Sequence, residues 1–200
     1  MKRFFTFVVA ACAVAVLTNS TFTASAQTAA VATNFLQSAA SASDSQLGTI
    51  ADELVGKLQE FTAAGGTNSA LQTKLDSVLT SLTAGNDSAA LTSAFNLAKS
   101  AKLTPEQLGL AKQVGNLASA YVVQKNFATL DGSQSDVATI VSSLRSGEVT
   151  GAIPALKNVA TNAQLTDGQK TLISKVADKY APGWKKAGEA LDAIKKLPGF

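Results

Sequence analysis

Apolar residues recur along most of this chain at intervals of three and four, the spacing that places them on one face of an α-helix. Leu47, Ile50, Leu54, Leu58 and Phe61 form one such stripe; Leu103, Leu110, Val114, Leu117 and Tyr121 form a second; Leu165, Leu172, Val176 and Tyr180 form a third. Shorter amphipathic segments lie between them: Leu71, Leu75, Val78, Leu79 and Leu82; Leu91 and Phe95; Val137, Ile140, Val141 and Leu144; Ile153, Leu156 and Val159. No long alternation of period two is present, and the aromatic or β-branched clusters that strands favour are few. The pattern predicts an all-α protein of eight or nine antiparallel helices, with breaks at Gly65-Gly66, Gly85-Asn86-Asp87, Asp131-Gly132, Gly147 and Gly151. Residues 27 to about 33 are expected to fray ahead of the first helix.

Three helix starts share one chemistry. Thr104-Pro105-Glu106-Gln107 puts Thr at the N-cap, Pro at N1 where its missing N–H costs nothing, an acid in the first turn and Gln at N3 to close a capping box. Thr166-Asp167-Gly168-Gln169 and Ser43-Asp44-Ser45-Gln46 follow the same scheme, with Asp44 in the first turn. Leu103 and Leu108 are spaced to add a hydrophobic staple in the middle copy, which Lys170 denies to the last.

These starts belong to an internal repeat. Sliding the chain by about 62 residues lays Ser81–Val114 over Ser143–Val176 without a gap, with identity at Ser81, Leu82, Gly85, Ala90, Asn96, Ala98, Ala101, Leu103, Thr104, Gln107, Leu110 and Val114. Asn34, Ser38 and Ala39 mark a fainter first copy, 62 residues before Asn96, Ser100 and Ala101. The implied units are 27–66, 67–131 and 132–183, followed by a capping helix over 184–197, all within one helical domain spanning 27–200. So few copies favour a compact bundle over a short helical-repeat array.

Residues 1–26 read as a cleavable signal peptide. Lys2 and Arg3 supply the positive n-region, Phe4 to Leu17 is apolar apart from Thr6, and Ala24-Ser25-Ala26 supplies the small residues a signal peptidase accepts before Gln27. The apolar run is about 14 residues, short of the roughly 20 that span a bilayer. Cys12 follows Val9-Ala10-Ala11, but the apolar segment continues past it, which disfavours a lipid anchor there. The protein is therefore expected to be exported, periplasmic or secreted, with no transmembrane span after cleavage.

Cleavage changes the charge and the available chemistry. The formal net charge of +3 loses Lys2 and Arg3 and becomes +1, too little to argue for nucleic acid binding. There is no histidine, and Cys12 is the only cysteine, so the mature chain lacks the groups for Ser-His-Asp or Cys-His catalysis, thiolate metal sites and disulfides. Phosphate-binding glycine motifs are also missing. The carboxylates Asp52, Glu53, Glu189 and Asp192 read as solvated ion-pair surface, and neither Ser174-Lys175 nor Lys99-Ser100 has the context of a hydrolytic dyad. No catalytic residue, cofactor or metal is expected.

One asymmetry remains. Residues 27–169 carry 8 bases and 11 acids, whereas Lys170–Phe200 carries 7 bases and 3 acids. Trp184, Lys185, Lys186, Lys195 and Lys196 could form an interaction surface for a protein, a cell-envelope polymer or an anionic lipid surface. The plainer reading packs Trp184 and Leu191 inward as the capping helix. The sequence thus points to an exported, non-catalytic interaction or structural protein of the cell envelope or extracellular space. The alternative is a binding protein for a small apolar ligand or lipid held between helices, in a cavity lined by residues such as Leu110, Val114, Tyr121 and Phe127.

Overall fold

The computed structural model describes residues 26–65, 68–162 and 164–181. The expected capping helix over 184–197, and almost all of the leader, lie outside these. Among the described residues the chain forms eight α-helices and no strand: α1 (Ala26–Ala40), α2 (Ser45–Ala63), α3 (Ser69–Thr83), α4 (Asp87–Leu97), α5 (Pro105–Phe127), α6 (Gln134–Ser146), α7 (Val149–Ala160) and α8 (Asp167–Tyr180).

The helices pack as a compact bundle around α5, which contacts α2, α4, α6 and α8. These four partners come from both sides of α5 in the chain, two before it and two after it. The sequence of α5 explains its place. Its apolar residues were expected to form a single stripe, yet from Leu117 to Gln124 every residue is buried. Leu-Ala-Ser-Ala-Tyr-Val-Val has no charged residue on any side, and a helix apolar all round is stable only when enclosed. The alanines among these let neighbouring backbones come close.

The outer helices follow their sequence patterns. In α2 the whole stripe from Leu47 to Phe61 is buried, as are all the expected residues of α3 and α6. Phe95, Ile153, Leu172 and Tyr180 are only half-buried, and Ile173 takes the fully buried place in α8. The first helix begins at Ala26 rather than after a frayed segment, and Gln72 Nε2 donates to Thr28 Oγ1 at 2.6 Å, which ties its first turn to α3.

Helix ends show where local chemistry prevailed. Thr104 and Thr166 both form complete capping boxes with Gln107 and Gln169. The third start differs: Asp44, not Ser43, is the N-cap, accepting from the Gln46 backbone N–H at 2.9 Å, and it stands before the helix rather than in its first turn. A carboxylate one residue closer to the helix outcompetes the serine hydroxyl for the same orphan donors. Leu108, expected to form a staple with Leu103, is 37% exposed. Gly85, Gly132 and Gly147 take positive φ at their turns. Gly151, expected at a break, lies inside the first turn of α7, where a Cβ would sit 3.0 Å from Ser143 Oγ on α6. Its role is close helix approach.

Candidate functional site

Buried polar groups are the places to look for chemistry, because burial without partners is costly. In this bundle they concentrate on α5, chiefly at its C-terminal end, where the starts of α2, α4 and α8 converge. Asp87, only 6% exposed, opens α4; its carboxylate accepts from Lys125 Nζ at 2.9 Å and from Asn126 Nδ2 at 2.8 Å. The acid sits at a helix N-terminus and the base in the last turn of another, so both macrodipoles favour the pair. Asn126 also receives, at its backbone oxygen, the Gln169 side chain of α8 at 2.8 Å. Two residues before Asn126, Gln124 Nε2 donates to the second oxygen of the Asp44 cap at 2.6 Å.

The opposite end of α5 has a matching contact. Gln107, the N3 residue of its capping box, donates to Phe61 O near the C-terminus of α2 at 3.4 Å. In both cases the box glutamine reaches a carbonyl in the last turn of the preceding long helix, where intrahelical partners run out. The two glutamines thus cap their own helix and bridge to another.

A second cluster joins α8 to α4 and α5. Tyr180 OH donates to Asn116 Oδ1 at 3.0 Å and lies 3.2 Å from Ser119 Oγ, which itself donates to Gly115 O at 2.8 Å. Burial pushes the Tyr180 hydroxyl up to about 12, against a smaller lowering by Ser119. Tyr121 is also raised, first by burial and then by the negative charge of Asp87. The Phe95 ring meets Tyr180 edge-on at 6.1 Å, with Lys179 Nζ 5.4 Å from the Phe95 centroid.

The serines and lysines form pairs that adjacency in sequence did not suggest. Lys175 donates to Ser88 O at 2.8 Å, Ser88 Oγ at 2.9 Å and Thr92 Oγ1 at 2.6 Å, all on α4. The three acceptors tie the end of this side chain to α4. Ser100 pairs with Lys74 at 2.7 Å rather than with Lys99. Glu53 forms a two-point contact with Arg145 of α6, at 3.0 and 2.5 Å, while Asp52 is exposed. No group of three potential metal ligands occurs among the described residues.

Of the four residues expected to line a ligand cavity, Val114, Tyr121 and Phe127 lie in the core, and Leu110 also lines a depression at the surface. Leu110, Val114, Tyr121 and Phe127 are all buried, and the Tyr121 ring packs on Phe35 at 5.2 Å. An open depression does exist, at the surface between the end of α2 and the start of α5, floored by Ala63, Ala64, Gly109 and Leu110 and rimmed by Glu60 and Glu106. Trp184, Lys185, Lys186, Lys195 and Lys196, the candidate surface residues, lie outside the described residues. No described helix is long and apolar enough to cross a membrane.

Comparison with family models, curated proteins and solved structures finds no match. The polar clusters were hard to foresee because their members are far apart in sequence. Ser119, alone in the apolar run of α5, was the one visible signal.

Proposed function

We propose that this chain is an exported, non-catalytic interaction or structural protein of the cell envelope or extracellular space, acting through the exposed faces of its helices. The observation that carries the reading is the use made of the buried polar groups. The buried Asp87, Gln107 and Gln124 and the half-buried Tyr180 and Lys175 each bond to another helix, so these groups are spent on holding helices together. The leader sequence, with its charged start, apolar run and small residues before Gln27, supports the exported destination.

The repeat of about 62 residues belongs to the same reading. Asp87 and Val149, which open α4 and α7, are 62 residues apart, as are Pro105 and Asp167, which open α5 and α8. The bridging role shared by Gln107 and Gln169 supports it further.

The test is photo-crosslinking in the native compartment from exposed positions on different faces: Ser38 on α1, Asn96 on α4 and Thr139 on α6. A discrete protein or polymer adduct from one face and not the others is expected. Adduct-free chain from all three positions, together with a retained small apolar molecule, would overturn the reading in favour of ligand carriage.

A further inference from the structure

Lysines from three helices gather at the end of the bundle where α4 stops and α5 starts. Lys74 Nζ on α3 donates to Ser100 Oγ, just past the end of α4, at 2.7 Å. That contact holds Lys74 beside Lys99 and Lys102, both exposed in the loop that carries Ser100. Lys179, in the last turn of α8, flanks them, with its ammonium 5.4 Å from the centroid of Phe95 on α4. Among the described residues, the ion pairs use Lys57, Lys125, Arg145 and Lys170, and none of Lys74, Lys99 and Lys102.

The loop does not need these lysines in order to fold. Counting back from the other threonine capping box, exposed Thr161 and Gln164 occupy the places that Lys99 and Lys102 hold before Thr104. Lys102 has φ +62°, and among the described residues it is the one non-glycine with a positive φ. In that conformation Cβ crowds the following carbonyl, so glycine or asparagine is the favoured residue. A lysine retained there gives up stability, and strain kept in an exposed loop points to use at the surface.

We propose that Lys74, Lys99 and Lys102 form a docking surface for a hydrophilic polyanion of the cell envelope, a chain bearing repeated phosphate or carboxylate groups. The proposal rests on the reading of the protein as an exported interaction protein and adds a face and a partner to it. Ammonium groups are compact charges that attract anions from many directions, which suits a flexible polymer better than the fixed fork of a guanidinium. Between them lie Ala98, Ser100 and Ala101, with no exposed aromatic or large aliphatic side chain to anchor a partner protein or to enter a lipid layer. The acids of this end, Glu60 and Glu106, stand on the α2 side around the depression, and Glu60 is taken by Lys57 at 2.6 Å.

The test is calorimetric titration of the purified mature chain with polyphosphate and with polygalacturonate at about 20 mM salt, where screening is weak. At least one polymer is expected to bind, with an affinity that falls steeply as salt rises. Lys99→Thr with Lys102→Gln, which installs the residues of the other loop, should weaken binding at least about ten-fold. Lys157→Gln with Lys170→Gln, an equal change of net charge elsewhere, should alter it less than about two-fold. Lys102→Gly should raise the urea midpoint and weaken binding together, a combination that a role in folding alone would not produce. Binding of neither polymer overturns the proposal. So does binding untouched by the loop variant, binding lost equally in the control variant, or binding seen only with anionic vesicles. In any of these cases, crosslinked adducts formed in the native compartment through another face would leave the interaction reading standing while this surface falls.

Discussion

At the scale of single residues, the bundle depends on a few polar side chains whose partners lie far away in sequence. The Asp87 carboxylate is the clearest, because it is buried and accepts from two side chains of α5. Lys125→Met should cost about 3 kcal/mol in urea unfolding, since it leaves a buried charge with one partner fewer. Adding Asp87→Asn to that variant should recover part of the loss, giving a coupling of about 1 kcal/mol or more in a double-mutant cycle. The tyrosines offer a spectroscopic check. The chain has only Tyr121 and Tyr180, and both hydroxyls are raised above 10, Tyr180 to about 12. Absorbance titration of the folded protein should therefore lack a tyrosinate step at 10, which reappears in urea. The sign for stability follows: each folded tyrosine holds its proton above the unfolded value, so stability complete below pH 10 falls as pH rises from about 10 toward 12, and Tyr180→Phe reduces that fall.

At the scale of helices, most of the structure follows from local signals. Both threonine capping boxes and the stripes of α2, α3 and α6 were legible because they depend on residues three and four apart. Thr104→Ala and Thr166→Ala should each cost about 1 kcal/mol in thermal or urea unfolding. Glycines divide by surroundings. Gly48 and Gly56 lie within α2 with open space where a Cβ would go, so alanine there should stabilise by about 0.5–1 kcal/mol. Gly65→Ala should destabilise, because its Cβ would fall 2.8 Å from Gln107 Cδ and push that side chain off Phe61 O. What the local pattern missed was the choice between nearby caps and between break and contact. Asp44 displaced Ser43, and Gly151 serves close packing of α6 and α7, because those outcomes depend on competing donors and on a neighbouring helix.

At the scale of the molecule, periodicity along one helix does not reveal how many neighbours it will have. The enclosure of α5 was foreshadowed by the uncharged run from Leu117 to Val123, but the four helices that enclose it are assembled by tertiary packing alone. The polar junctions at its ends were invisible for the same reason: Asp87 and Lys125, or Gln169 and Asn126, become partners only once the bundle closes. That closure buries Val114, Tyr121 and Phe127 between helices, and under the proposed function the outer faces are the surfaces through which the protein meets others. Native mass spectrometry of the protein purified from its native compartment tests this most directly. The expected mass is that of a chain beginning at Gln27, alone or bound to a macromolecular partner; a stoichiometric small apolar molecule retained by the folded chain would contradict it.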